Sequence, residues 1–144
     1  MAGGEATFLV PLTASTASLH ALAVAGEAAR HRKAKVLATY VIEIGHEYPI
    51  DVELDVESRR GETILRKAEQ LASEHHFPVE SVLLQARSAG RATLDEAQHR
   101  GVSLIAIGLP AARHGAVELN RVADYLLRKA PCEVWLIREG APAQ

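Results

Sequence analysis

The segment VADYLLRKAPCEVWLIRE, residues 122–139, contains two elements of secondary structure separated by a proline. Its first half continues a helix that we predict over Val117–Lys129. That helix ends before Pro131, because a proline disfavours the helical conformation of the residue that precedes it. The second half, Glu133–Arg138, is rich in β-branched and aromatic residues and is predicted as a strand. The segment therefore predicts that a helix and a strand close the domain.

Upstream of this segment, strands and helices alternate along the chain. Short apolar or β-branched runs predict four further strands, at Ala6–Leu12, Lys35–Ile44, Val79–Ala86 and Val102–Ile107. Helices are predicted between them, at Ala17–His31, Val56–His76 and Arg91–Arg100. The alternation predicts an α/β, flavodoxin-like fold with a five-stranded parallel sheet and helices on both faces. In such folds ligands bind at the carboxyl ends of the strands.

The composition is that of one ordinary globular domain. The chain has 144 residues, 48% of them hydrophobic and 24% charged, and we expect a single domain over 1–144 with its core at about 6–139. The net charge of −2 argues against nucleic acids and anionic membranes as partners. One cysteine allows no internal disulfide, and we find no signal peptide and no apolar run of the roughly 20 residues that span a membrane. A cytoplasmic location is therefore expected.

Several segments resemble the universal stress protein family over roughly residues 6–139. The closing segment 122–139 is the most specific, and the others are LIAIG at 104–108 and the Val-Pro-Leu and Val-Ile-Glu ends of the first two strands. The resemblance implies the strand order 3-2-1-4-5 of adenine nucleotide alpha hydrolase-like folds. It also implies a homodimer through the last strand. The candidate interface residues are Val134, Trp135, Leu136 and Ile137.

The resemblance also implies candidate partners. One large branch of the family binds ATP or another adenine nucleotide, which makes ATP or AMP the candidate ligand. Domains of the family also occur fused to membrane transporters, and the run LLQARSAG at 83–90 is similar to that branch. A transporter or a regulatory protein is accordingly the candidate macromolecular partner.

The nucleotide-binding fingerprint of the family is degenerate in this chain. The fingerprint is Gly, two residues, Gly, nine residues, then Gly-Ser or Gly-Thr, with an Asp just after the first strand. Gly108 matches the first glycine, but Ala111 stands at the second and Asn120-Arg121 at the Gly-Ser pair, in a loop one residue shorter. Thr13 stands at the Asp. These departures predict that any nucleotide is bound in a non-standard way.

Side chains near the predicted mouth of the sheet offer a substitute for the missing glycines. Asn120 tolerates left-handed backbone angles and is expected to keep the bend. Arginines after the third strand and around the loop can hold a phosphate through charged guanidinium forks. The same arginines also fit an ordinary solvated surface, and that alternative stays open. The candidate nucleotide-binding residues are Pro11, Thr13, Val41, Arg87, Gly108, Arg113, Gly115, Asn120 and Arg121.

Other reactive or polar side chains have simpler interpretations. Thr13, Ser15 and Thr16 fit either anion contacts or caps of the first helix, and caps are preferred. Cys132 is expected to be a small buried residue rather than a reactive thiol, and Trp135 fits the core and an interface equally. Histidines and acids show no coordinating spacing, so no metal site is predicted.

No catalytic residues are predicted, because no nucleophile, base and orienting group can be combined at the strand ends. We expect a dimeric regulatory module of the universal stress type that binds a nucleotide or another small anion without fast chemistry. The alternative is an interaction protein, related to transporter-associated stress domains, that has lost nucleotide binding. A slow nucleotide hydrolase ranks last.

Overall fold

The computed structural model describes residues 6–111 and 119–140, and within them strands and helices alternate as predicted. The strands are β1 (Thr7–Leu12), β2 (Lys35–Glu43), β3 (Val79–Ala86), β4 (Leu104–Leu109) and β5 (Glu133–Arg138). The helices are α1 (Thr16–Arg32), α2 (Asp55–Glu74), α3 (Ala89–His99) and α4 (Arg121–Lys129). None of these helices combines the length and the apolar character that crossing a membrane requires.

The five strands form one parallel sheet in the order β3-β2-β1-β4-β5, which confirms the predicted fold class and strand order. β2 pairs with β1 along all of Thr7–Leu12 and with β3 along all of Val79–Ala86. The ladder between β1 and β4 is shorter, because it includes only the pairs Phe8–Leu104 and Leu9–Ile105. The two central strands therefore diverge toward their carboxyl ends, where the strand order reverses and where ligands bind in such sheets.

The core consists of two layers, one on each face of the sheet. On one face α1 and α2 pack against β-strand residues that include Phe8 and Val36. On the other face α3 and α4 pack against residues that include Leu9 and Leu37. Successive residues of a strand point to opposite faces, so β1 and β2 contribute to both layers and read as continuous apolar runs.

Small residues let α1 approach the sheet closely. Its buried alanines, Ala17, Ala21, Ala25 and Ala29, recur every fourth residue and so form one face of the helix. α2 buries two larger side chains, Ile64 and Leu65, together with the small residues Gly61, Ala68 and Ala72.

Three predicted boundaries near the strand ends are wrong. α4 begins at Arg121 rather than Val117, because Asn120 is its N-cap and the Asn120 Oδ1 accepts a hydrogen bond from the Ala123 N–H at 2.7 Å. β4 extends to Leu109, so Gly108 lies in a strand and not in a loop. α3 begins at Ala89 rather than at the predicted Arg91, because Ser88 is its N-cap and the Ser88 Oγ accepts a hydrogen bond from the Arg91 N–H at 3.3 Å.

The loop between β2 and α2, residues 44–54, is held by two side chains at the end of β3, which we call the Gln85–Arg87 clasp. Both side chains donate hydrogen bonds to main-chain carbonyl oxygens of the loop. The acceptors are Ile50 (2.9 Å) and Val52 (3.0 Å) for Gln85 Nε2, and Ile44 (3.3 Å), Gly45 (2.6 Å) and Tyr48 (2.9 Å) for Arg87 Nη1.

Candidate functional site

A pocket of about 120 Å³ lies at the carboxyl ends of β1 and β2, beside the starts of α3 and α4. We call it the switch-point pocket, because it lies next to the place where the strand order reverses. None of the described residues that line it is charged. Its lining residues are Pro11, Leu12, Thr13, Ala14, Thr39, Tyr40, Val41, Ala89, Thr93 and Val122.

The structure brings together part of the candidate nucleotide-binding set. Pro11, Thr13 and Val41 line the switch-point pocket. Four other candidates are described but do not line it, and two lie outside the described residues. The four are Arg87, Gly108, Asn120 and Arg121, and the two are Arg113 and Gly115.

Two buried threonines line the pocket on the side of the sheet that α3 and α4 cover. Thr93 Oγ1 donates a hydrogen bond to the Ala89 carbonyl oxygen at 2.7 Å. Thr39 is fully buried, and its Oγ1 makes no hydrogen bond with any described residue. Sequence reasoning missed Thr39. The available signal was a lone hydroxyl inside VLATYVI at 36–42, a run otherwise typical of a strand buried on both faces.

The turn between β1 and α1 is organised by Ser18 together with Thr13, whose Oγ1 accepts a hydrogen bond from the Ser15 N–H at 3.2 Å. The Ser18 Oγ accepts a hydrogen bond from the Thr13 N–H at 3.1 Å, and it lies 3.1 Å and 3.0 Å from the carbonyl oxygens of Thr13 and Ser15. Ser15 occupies the N-cap position, but its side chain makes no capping hydrogen bond. Ser15 is therefore at the predicted N-cap position, but the predicted hydrogen bond from its side chain to the helix is not formed.

A carboxylate stands at the start of α1. Thr16 Oγ1 donates to the Glu139 carboxylate, with oxygen–oxygen distances of 3.1 Å and 3.2 Å. Glu139 follows β5, and its N–H donates to the Leu109 carbonyl oxygen at 2.8 Å. Glu139 therefore links the last strand to the first helix through these hydrogen bonds. Its negative charge is also favourable near the N-terminus of α1.

Gly108 has a packing role that its predicted place in a phosphate loop did not suggest. A Cβ atom built on Gly108 would overlap the carbonyl oxygen of Ala17 and approach the Ser18 nitrogen to 2.9 Å. The start of α1 therefore lies directly against the backbone of β4. Glycine is required here by the space between two backbones.

Of the arginines predicted to hold a phosphate, the two that the structure describes do not line the switch-point pocket. Arg87 belongs to the clasp and lines a separate cleft of about 530 Å³ between β3 and α3. Arg121 is exposed at the first position of α4, next in sequence to Val122, which lines the switch-point pocket. Asn120 has φ −74° and ψ 173°, an extended conformation, so the prediction that it keeps a left-handed bend is wrong.

Two further residues considered in the sequence analysis are Cys132, just before β5, and Trp135, on β5. Cys132 is only partly buried, against the layer formed with α3 and α4, whereas a buried residue was predicted; burial still raises the pKa of its thiol, which disfavours the reactive thiolate. Trp135 packs against the layer formed with α1 and α2, and the Arg32 guanidinium lies 5.4 Å from its ring centroid.

Within residues 6–111 and 119–140, no three His, Cys, Asp or Glu side chains cluster as metal ligands do.

The chain is similar to one protein family and to proteins of known structure. The family described as "Universal stress protein family" matches residues 6–138. A family member from Burkholderia pseudomallei is 25% identical, with a TM-score of 0.72 and coverage of 92% of this chain and 95% of the other. The search of curated proteins gives no significant match.

Two further similar structures contain a nucleotide. The Archaeoglobus fulgidus universal stress protein in complex with dAMP is 20% identical, with a TM-score of 0.72 and coverage of 93% and 98% of the two chains. An Arabidopsis thaliana universal stress protein family protein with AMP bound is 18% identical, with a TM-score of 0.71 and coverage of 94% and 93%.

Proposed function

Because the chain belongs to the universal stress protein family, we propose that it is a regulatory module that binds an adenine nucleotide or another small anion. The switch-point pocket carries this proposal, since Pro11, Thr13 and Val41 converge there at the divergence of the central strands. The similar proteins solved with dAMP and with AMP support an adenine nucleotide as the ligand class.

The chemistry of the pocket suggests which part of a nucleotide would lie inside it and which part would lie outside. The described lining has no charged side chain and so favours the base, since a phosphate is bound most strongly by charged donors. The phosphate would then lie outside, where Arg121 is exposed beside Val122 and can supply a guanidinium. This arrangement differs from a loop of glycine N–H groups, which is the sense in which the binding is non-standard.

Nucleotides are expected to raise the thermal midpoint of the protein. A ligand that binds only the folded state at about one hundred times its Kd adds roughly 2.7 kcal/mol to the free energy of unfolding, or about 5 to 10 °C for a chain of this size. The measurement is a thermal denaturation with AMP, ATP, cyclic AMP and inorganic phosphate. In Val122→Phe the added bulk enters the pocket and should remove most of the nucleotide-dependent shift.

Val24→Phe is the matched control, since Val24 is 38% exposed on α1 and does not line the pocket. This variant should keep the full shift. Equal shifts in both variants would place the ligand elsewhere. The absence of a shift with every nucleotide would favour the alternative, an interaction protein that does not bind nucleotides.

We also propose that the protein is a homodimer formed through β5. β5 pairs with β4 on one side and is the last strand of the sheet, and no other described strand pairs with its second edge. Leu136 is 39% exposed, while Val134, Trp135 and Ile137 are half-buried on the same strand. Pairing with a second copy would cover these side chains.

Leu136→Arg is expected to weaken this dimer roughly hundredfold, because a two-fold interface contains the introduced charge twice. Sedimentation velocity over a concentration series measures the dissociation constant. Val24→Arg, a comparably exposed aliphatic position on α1, should leave the constant unchanged. A wild-type protein that stays monomeric at high micromolar concentration would contradict the proposal.

A further inference from the structure

The switch-point pocket is lined by a buried hydroxyl group that makes no hydrogen bond with any described residue. Thr39 Oγ1 is the buried side-chain polar atom without a hydrogen-bond partner within residues 6–111 and 119–140. Burying a hydroxyl without a partner destabilises the folded state. An unpaired group of this kind calls for an explanation, and its position in the pocket suggests a group on a ligand.

The other lining residues restrict what that ligand group can be. Thr93 already donates its hydroxyl proton to the Ala89 carbonyl oxygen, so only its oxygen lone pairs remain available. Thr39 keeps both its proton and its lone pairs. Pro11, Val41 and Val122 add apolar surface. The pocket thus combines apolar walls with a hydroxyl donor, which suits a flat heteroaromatic ring that has an acceptor atom on its edge.

The size of the pocket agrees with a ring and not with a whole nucleotide. Its volume of about 120 Å³ is well below the roughly 300 to 1,000 Å³ of pockets that bury a whole drug-sized ligand. Ribose and phosphate would therefore extend outward, toward the Thr13 turn and the start of α4. Thr39 lines the pocket but is 0% exposed, so only the most deeply buried end of a ligand could reach its hydroxyl.

We propose that Thr39 is a specificity-determining residue whose hydroxyl donates a hydrogen bond to a ring nitrogen of the bound base. This inference rests on the proposed nucleotide binding and adds to it the atom that the pocket recognises. Thr39 stabilises the complex at the expense of the free protein, since its hydroxyl is unpaired until the base enters. The two effects have opposite signs, and each can be measured.

The first experiment compares the free proteins. Thr39→Val keeps the shape of the side chain and removes the unpaired hydroxyl, so the thermal midpoint without ligand should rise by about 3 °C. Thr93→Val is the matched variant in the same pocket. It removes a hydroxyl that has a partner and leaves the Ala89 carbonyl oxygen without that donor, so its midpoint should fall.

The second experiment measures binding of AMP and of its deaza analogues, each of which replaces one ring nitrogen by C–H. Calorimetry should show that Thr39→Val binds AMP about tenfold more weakly than the wild type does. One deaza analogue should bind the wild type with the same tenfold loss. That analogue should bind Thr39→Val as tightly as AMP binds Thr39→Val, because the variant already lacks the hydroxyl that would donate to the replaced ring nitrogen.

The outcomes separate this inference from the proposed function. Opposite shifts in the free proteins, with one analogue coupled to Thr39, would support the inference. Equal AMP affinity in the wild type and in Thr39→Val would overturn the role of Thr39 and leave nucleotide binding in place. A wild-type protein that binds none of the nucleotides would overturn both.

Discussion

Gly108→Ala is expected to lower the free energy of unfolding by about 3 kcal/mol, with no ligand present. The added methyl group would overlap the Ala17 carbonyl oxygen, and backbone atoms cannot rotate away as the end of a side chain can. Either α1 must move off the sheet or β4 must shift. Each movement disturbs the contact between the buried alanine face of α1 and the sheet. Denaturant unfolding monitored by circular dichroism measures the loss.

Gly140→Ala is the control, because nothing lies within 4 Å of a Cβ at that position. It should change the free energy of unfolding by less than about 0.5 kcal/mol. If Gly108→Ala kept wild-type stability and lost only nucleotide binding, the packing role would be contradicted. The glycine would then serve a phosphate loop, as its match to the family fingerprint implies.

Leu126→Ala is expected to cost about 3 kcal/mol, whereas Leu127→Ala should cost less than about 1 kcal/mol. The two leucines are adjacent on α4, but Leu126 is 0% exposed and Leu127 is 43% exposed. α4 has only nine residues, and Leu126 and Ala123 are its buried side chains. Leu126 is the larger of these two side chains, so its removal leaves a cavity between α4 and the sheet. Thermal or denaturant unfolding of the pair measures the difference.

The Leu126 variant should also affect the ligand site. Val122 lines the switch-point pocket from the first turn of α4, so a loosened helix should weaken the nucleotide-dependent thermal shift. Leu127→Ala should keep that shift. Equal stability losses in the two variants would contradict the assignment of the buried face of α4.

Much of the fold could be predicted from the chain, because strand and helix patterns alternate clearly. The run at Thr7–Leu12 is buried on both sides and so reads as a central strand, and its neighbours follow from the parallel topology. The start of α4 was mispredicted. Asn120 is both a residue that tolerates bends and a good N-cap, and only the position of the Ala123 N–H distinguishes these roles.

The candidate site was predictable only where it depends on the ends of the strands. Pro11, Thr13 and Val41 lie together because parallel strands end at one edge of the sheet. Arg87 also follows a strand end, yet its long side chain turns toward the loop carbonyls, a choice that sequence position does not determine. Thr39 was missed because threonine is common in strands, and its lack of a partner depends on neighbours distant in sequence.

The Gln85–Arg87 clasp has a consequence for how the sequence can vary. All five of its acceptors are main-chain oxygens, which every amino acid carries whatever its side chain. The loop can therefore exchange exposed residues such as Tyr48 and Ile50 without losing its anchorage. Related proteins should accordingly show drift within this loop, provided that the two donors on β3 are retained.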